Sequence, residues 1–496
     1  MADAPEKSLG HSVVRGAVWM VAMRWVMRGI GFINIALLAR LLTPYDFGLV
    51  GLAIPLLAIL MGIMDIGARV ALVRHPHVAD KHYNTFWTIG IIQAGLCCLG
   101  MLIAAPFAAD FYGEPAVFEL FAVLGISTLV RSFENGYIVA LQKEMRFGRD
   151  FGYNTAVTLI RVGFTIGLAF YLKDYRALLY GHLIGSAAQA LISYIVCGER
   201  RCRVSLEAFG DLWGVSKWLF IQNIGVLLST HLDRLALGKL ASVEKLGSYT
   251  VAVQVAAMPY EMLLAPLERV LQPAYSRKLE AGEGLKSAFL FTLGGISHVS
   301  VACYVGLALV AEPFVQIVFG AEWLHTVPFV AWFALVFAIT AIVSPIRVYW
   351  NGLGYVKAPA LLAVIGGLIF VAGIIPSFET AGVMGIIFWR LIIDVMLMLV
   401  RIFLLWRYQG VQPLEFILII ARPILSVLLM ALVVQWVQTI SRTLDPIAAL
   451  SIEAIIGAIS YFLAATLVWN LLGRPDGAER WALTMGKAFK QRHFPR

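Results

Sequence analysis

Apolar residues along this chain come in runs of roughly 20, about fourteen in all, divided by short polar loops. A helix that crosses a bilayer needs about 20 predominantly apolar residues, so the pattern predicts membrane helices from end to end. The first eight spans fall at roughly 13–38, 47–66, 83–109, 116–141, 151–172, 177–198, 211–238 and 246–270. Six more fall at roughly 285–310, 325–349, 358–376, 382–406, 416–438 and 447–472. The class predicted is an all-α integral membrane protein. Any residue that does chemistry must then line a cavity within the membrane or sit in a loop of about ten residues, which excludes most enzymes.

Composition agrees. With 60% hydrophobic and only 14% charged residues in 496, at a mean hydropathy of +0.82, the chain cannot be a soluble globule of ordinary make-up. The formal charge of +9 matters less than its distribution. Loops on one side carry Arg69, Arg74 and Lys81, then Lys143, Arg146 and Arg149, then Arg200, Arg201 and Arg203. The same side takes Arg277, Lys278 and Lys286, then Arg347, Lys357, Arg407 and a basic C-terminal tail. Opposite loops hold few cations, and several hold only acids, such as Asp110 with Glu114, Glu312 with Glu322, or Glu379. The positive-inside rule therefore puts both termini in the cytoplasm, with an even number of crossings. Basic charge here reports orientation, not nucleic-acid binding. The polar stretch from Met1 to Ser12 leads into an apolar segment too long for a signal peptide, so the first span is expected to be retained. The five cysteines are scattered: Cys97, Cys98 and Cys303 within spans, Cys197 and Cys202 at a cytoplasmic helix end. They are read as structural thiols.

A weak duplication runs through the chain. The turn Leu41-Leu42-Thr43-Pro44-Tyr45-Asp46-Phe47-Gly48 is answered by Leu240-Ala241-Ser242-Val243-Glu244-Lys245-Leu246-Gly247. Pro106-Phe107, followed by Phe111-Tyr112-Gly113-Glu114, is answered by Pro313-Phe314 and Val318-Phe319-Gly320-Ala321 at nearly the same offset. Two parallel six-helix lobes are implied, an N-lobe over 13–200 and a C-lobe over 211–408, as suits alternating access. A tail over 1–12 precedes them and a basic cytoplasmic linker over 201–210 joins them. Two further helices over 409–472 and a basic tail over 473–496 complete the chain. Gly163 with Gly167, and Gly181 with Gly185, have the spacing of close helix packing, while Pro55 and Pro259 predict kinks.

Certain loop sequences carry a resemblance. Phe111-Tyr112-Gly113-Glu114-Pro115 leads through Arg131 to Leu141-Gln142-Lys143-Glu144-Met145-Arg146-Phe147. His231-Leu232-Asp233-Arg234-Leu235, with Gly238, Gly247 and Tyr249, precedes Val270-Leu271-Gln272-Pro273-Ala274-Tyr275-Ser276-Arg277. Phe319-Gly320-Ala321-Glu322-Trp323 and Asn351-Gly352-Leu353-Gly354 follow. In order and spacing, over roughly residues 10–475, these resemble the bacterial polysaccharide transporters, the Wzx/WzxC-type flippases of the MOP (multidrug/oligosaccharidyl-lipid/polysaccharide) superfamily. The resemblance implies a MATE-like fold of two pseudo-symmetric lobes plus two C-terminal helices in the bacterial inner membrane. It also implies flipping of an undecaprenyl-diphosphate-linked oligosaccharide for O-antigen, capsule or exopolysaccharide synthesis. Partners implied are the lipid-linked glycan, membrane lipids, and a glycan polymerase with its chain-length regulator. No cofactor is implied, and coupling to H+ or Na+ is open.

Mid-span ionisable residues are the route from sequence to mechanism, because a central arginine costs about 2.5–3.5 kcal/mol to insert and needs water or a partner. Arg24 and Arg28 lie one turn apart in the first span with no acid beside them, and Arg161 lies near the middle of the fifth. These three are the candidate diphosphate ligands, since the guanidinium fork matches phosphate oxygens bidentately. Asp65 with Arg69, Arg131 with Glu134, and Arg390 with Asp394 have the spacing of intrahelical ion pairs. Asp233 and Arg234 could gate the outward mouth or form a buried salt bridge, and Glu261, with Arg390 and Asp394, could serve gating or coupling. His182 and His298 read as helix-contact histidines. His75, His77 and His82 crowd one loop, but with only Asp80 as a nearby carboxylate no metal site is assigned.

Two other functions compete. A drug or cation antiporter of the same superfamily leads one to expect acids in the first helix and twelve spans, where this chain has arginines and two further helices. A membrane enzyme acting on lipid-linked glycans needs catalytic groups gathered on a long loop, and no such loop is present in the sequence. No phosphate-cradling loop ending in Lys-Ser/Thr appears either.

Overall fold

The computed structural model describes residues 25–64, 67–75, 77–144, 146–212, 217–280, 284–441, 443–475, 477, 479 and 480. Among them there is no β-strand. The chain begins with α1 (25–41), α2 (Pro44–Met64), the short α3 (Ala68–Arg74) and α4 (Asp80–Tyr112). The fourth predicted span is divided into α5 (Ala116–Ser132) and α6 (Ile138–Lys143) by a turn over 133–137. Next come α7 (Phe147–Leu172), α8 (Arg176–Cys197), the single turn α9 (Phe209–Leu212) and α10 (Lys217–Leu240). The eighth span is α11 (Val243–Pro259) and α12 (Ala265–Glu280), joined through a π-helical turn, Tyr260–Leu264. Pro259, read as a kink in the sequence, immediately precedes that turn, which carries Glu261.

The remaining helices are α13 (Leu285–Leu309), α14 (Ala311–Val318), α15 (Val327–Gly352), α16 (Lys357–Gln409), α17 (Pro413–Ser441) and α18 (Pro446–Leu471). The 53-residue α16 is two helices end to end: Ala381 and Gly382 leave helical geometry, Gly382 at φ 61°. Only glycine adopts that φ without a Cβ clash, so the break falls there, between the predicted eleventh and twelfth spans. Among the described residues ten stretches have the length and hydropathy to cross a membrane, the doubled α16 counting as one. Large apolar side chains such as Leu432, Trp436, Phe462 and Leu467 stand exposed along α17 and α18, as lipid-facing residues do. The protein is a multi-pass membrane protein.

Two compact units divide the described chain. The first runs to Thr250 and includes Ala363–Val371; the second takes Val251–Leu362 and everything from Ala372 onward. In the first unit α4 packs on α5, α7 on α8, and α2 against α10. The last pair brings the duplicated turns together. A Cβ on Gly48 would lie 1.9 Å from the Val243 carbonyl oxygen, and one on Gly247 would lie 1.8 Å from that of Pro44. Pro44 and Val243 occupy matching places in the two turns, so the contact is reciprocal and is made backbone to backbone. Small residues allow such an approach where the driving force is packing rather than water exclusion. In the same unit Gly181 and Gly185 seat α8 on the side chains of Thr165 and Arg161, whereas Gly163 and Gly167 face open space. Only one of the two expected glycine pairs packs helices.

The chain after α8 is tied down along its length. Asn135 Nδ2 donates to the Arg200 carbonyl at 2.7 Å. The backbone amides of Arg203, Ser205 and Ala208 donate to Asn84, Thr88 and Thr85 of α4 at 2.9, 3.0 and 3.1 Å. Leu212 is fully buried with Leu72, Tyr83, Tyr137, Val139 and Ala140. In the second unit α13 packs on α15 and α17, and α17 on α18.

Candidate functional site

The sequence-predicted site residues meet different fates. Arg24 lies outside the described residues, as does Asp65, the expected partner of Arg69. Arg28 is exposed on α1. Arg161, an exposed residue on α7, lays its aliphatic stem against Gly185, and its guanidinium has no ion pair or hydrogen bond among the described residues. It interacts electrostatically with Arg131 of α5, and His182 of α8 senses both cations.

Arg131 corrects the sequence reading. The expected i,i+3 pair with Glu134 does not form, because α5 ends at Ser132 and the helical register that would bring the two together is lost. Glu134 accepts instead from Tyr153 Oη at 2.6 Å and Gln189 Nε2 at 2.9 Å. The Arg131 guanidinium has no counter-ion among the described residues. Two unneutralised guanidiniums and a histidine thus stand on three neighbouring helices of the first unit. A dry bilayer makes such a cluster costly unless an anion or water meets it. Chemically it offers fork-shaped donors suited to phosphate oxygens.

Asp233 is 7% exposed and accepts from Tyr249 Oη at 2.5 Å and from the Arg234 amide at 2.7 Å. The Arg234 Nε is buried without a hydrogen-bond partner among the described residues. In the second unit Arg390 is paired along its own helix, whereas Arg401 of the same α16 has no ion pair among the described residues. Arg390 Nε lies 3.3 Å from Asp394 Oδ2, the i,i+4 pair expected from spacing, and Thr340 Oγ1 donates to the same carboxylate at 3.4 Å.

Arg347 lies near the end of α15, within the span predicted over 325–349. Its Nη2 donates to Glu268 Oε2 at 2.6 Å and to Tyr260 Oη at 3.1 Å, while Tyr260 donates to Glu268 Oε1 at 2.6 Å. This triad was invisible in sequence because its members come from three elements.

A cavity of about 730 Å³ opens among α13, α17 and α18, walled by apolar groups such as Val299, Gly306, Met430, Ala458 and Phe462. Its polar residues are His298, Tyr461, Thr466, Trp469, Glu453 and Glu479. His298 Nε2 lies 3.2 Å from Glu479 Oε1, which also accepts from Arg422 Nη1 at 3.2 Å. Burial alone would push the Glu479 carboxyl up, but the hydrogen bonds from His298 and Arg422 and the His298 charge bring it down to about 2. His298 also meets the Tyr461 hydroxyl at 2.9 Å, the helix contact anticipated for it.

The architecture defines an all-α, multi-pass membrane protein. A solved structure titled lipid II flippase MurJ, inward closed conformation, superposes with a TM-score of 0.73 at 15% identity, over 91% of this chain and 99% of that one. An inward-facing multidrug resistance MATE family transporter of the MOP superfamily matches with a TM-score of 0.64 at 16% identity, over 79% and 98% of the two chains. The family model described as polysaccharide biosynthesis protein matches residues 37–328, and the chain belongs to that family. Relatives include the lipopolysaccharide biosynthesis protein WzxC of Escherichia coli, 22% identical over 78% of this chain and 80% of that protein. The succinoglycan biosynthesis transport protein ExoT of Rhizobium meliloti is 24% identical over 98% of this chain and 97% of its own length.

Proposed function

We propose that the protein flips undecaprenyl-diphosphate-linked oligosaccharides from the cytoplasmic to the periplasmic leaflet of a bacterial inner membrane by alternating access. The observation that carries this reading is the pair Arg131, in the last turn of α5, and Arg161, within α7, two guanidiniums without counter-ions among the described residues. A diphosphate headgroup is the anion they suit, with Arg24 and Arg28 contributing from the first span. The apolar cavity among α13, α17 and α18 suits part of a polyisoprenyl chain. The positive-inside pattern supports cytoplasmic termini, and the internal duplication supports lobes over 13–200 and 211–408. A glycan polymerase and its regulator are the expected partners, and an H+ or Na+ gradient the expected drive, with Asp233, Arg234, Glu261, Arg390 and Asp394 as gating or coupling groups.

The antiporter alternative shares the fold, as the MATE likeness illustrates, but has no anion-binding requirement to explain the arginines. Reconstitution into vesicles tests the choice. Purified protein is expected to move a lipid-diphosphate oligosaccharide between leaflets, and to restore glycan export in a flippase-null strain. Drug or cation exchange without lipid translocation would overturn the proposal.

A further inference from the structure

We propose that His75, His82 and Asp211 form a divalent metal site, with Zn²⁺ the ion their chemistry favours. The three come from separate places in the chain: the residue capping α3, the first turn of α4, and the single turn α9. Each offers one ligand atom, and the three atoms lie within 4.8 Å of one another.

Two observations distinguish this cluster from a chance meeting of polar residues. The Nδ1 of His75 and the Nε2 of His82 are both buried without a hydrogen-bond partner among the described residues. Leaving a buried ring nitrogen unsatisfied is costly, so two orphans aimed at one point call for a shared partner. His82 itself is only 3% exposed. Its Nε2 lies 3.3 Å from Asp211 Oδ2, within ion-pair distance but outside hydrogen-bonding geometry. That distance matches the edge of a tetrahedral zinc site, about 3.3 Å for ligand bonds near 2.0–2.1 Å.

The surroundings fit ligation as well. The Ala79 amide donates to His82 Nδ1 at 3.0 Å, and the same nitrogen lies 3.3 Å from the Ala79 carbonyl, so metal binding would have the ring exchange the first bond for the second. Donating to the carbonyl puts the proton on Nδ1 and leaves the Nε2 lone pair for a metal, the usual supporting arrangement for a histidine ligand. Asp211 is half exposed, which leaves room for water as a fourth ligand. One group opposes a cation there: Lys143 donates its ammonium to the His75 carbonyl. Two neutral imidazoles and one carboxylate still leave the site's own charge at minus one.

The site joins the segment following α8 to the start of α4, beside the amides that bind Asn84, Thr85 and Thr88. The sequence pointed to the wrong partner. His75 and His77 have a metal-type spacing, but His77 is exposed and outside the cluster, and the carboxylate comes from Asp211 rather than Asp80.

The experiment uses the full-length protein in detergent, stripped with chelator and titrated with Zn²⁺ by calorimetry, with thermal unfolding followed in parallel. One equivalent is expected to bind and to raise the unfolding temperature. Asp211→Asn, at an exposed position that should fold normally, is expected to weaken binding at least tenfold, and His75→Gln to abolish it. His77→Ala is expected to bind as the parent does. Equal Zn²⁺ binding by the parent and the His75→Gln, Asp211→Asn double variant overturns the proposal. So does loss of binding in His77→Ala with full binding in Asp211→Asn.

Discussion

Several arginines of the two units are held differently. In the second unit Arg347 meets Glu268 and Tyr260, Arg390 meets Asp394, and Arg422 meets Glu479. In the first, Arg131 and Arg161 have no acid among the described residues, and Glu134, the partner expected for Arg131, is held by Tyr153 and Gln189. A charge paired within its own protein has its favourable interactions already made and gains little from a ligand. An unpaired one carries a desolvation penalty that an incoming anion relieves. On the proposed function, Arg131 and Arg161 are therefore the first groups to test as ligands of an anionic substrate.

The sharpest way to break this contrast is to remove the unpaired cations. Charge-assisted hydrogen bonds contribute about 1.5–3 kcal/mol each, so Arg161→Ala and Arg131→Ala should each lower glycan export about tenfold or more. Arg161→Lys, which keeps charge but loses the fork, should fall between. Export in a flippase-null strain, divided by protein abundance in the membrane, is the measurement. Normal export by both alanine variants at normal abundance would show that the cluster binds nothing.

The converse experiment takes a paired cation. Arg347→Ala leaves Glu268, whose side chain is 12% exposed, without its counter-ion. Its main effect should be on stability, roughly 2 kcal/mol, with less folded protein in the membrane and little change in export per molecule. The double variant Arg347→Met, Glu268→Met should recover abundance, because it removes the charges together. Failure of the double variant to recover, with export per molecule also lost, would move the triad from structure to transport.

The smallest effect expected is that of Glu134→Gln. If Glu134 neutralised Arg131, removing its charge would alter substrate binding. Since it serves Tyr153 and Gln189 instead, export per molecule should change less than twofold, with only a modest loss of stability. A large change in apparent substrate affinity would restore the pair that spacing suggested.

The helices were legible because hydropathy runs and short loops are local properties, and even the break in α16 fell between two predicted spans. Charge partners were legible only where they too were local. Arg390 and Asp394 share an unbroken helix and pair as their spacing requires. Arg131 and Glu134 have similar spacing, but the helix stops between them, a stop whose signal in the sequence is the turn dipeptide Asn135-Gly136 just beyond. Arg347 lies near the end of its predicted span, but its neutralising acid lies on another helix, so no local spacing pairs them. His82 and Asp211 meet only through the fold, so the sequence offered His75 a false partner two residues away.

The segment after α8 has a mechanical consequence. A tether acts from the last point at which it is fastened, not from the end of the helix it leaves. Here that point is Ala208, bonded to Thr85, with Leu212 buried just beyond. Any pull arriving through the following chain is therefore delivered to the beginning of α4 rather than to the end of α8. The working length of the connection is set by how firmly Asn84, Thr85 and Thr88 grip it, so a single lost hydroxyl there would lengthen the slack without altering either helix it joins.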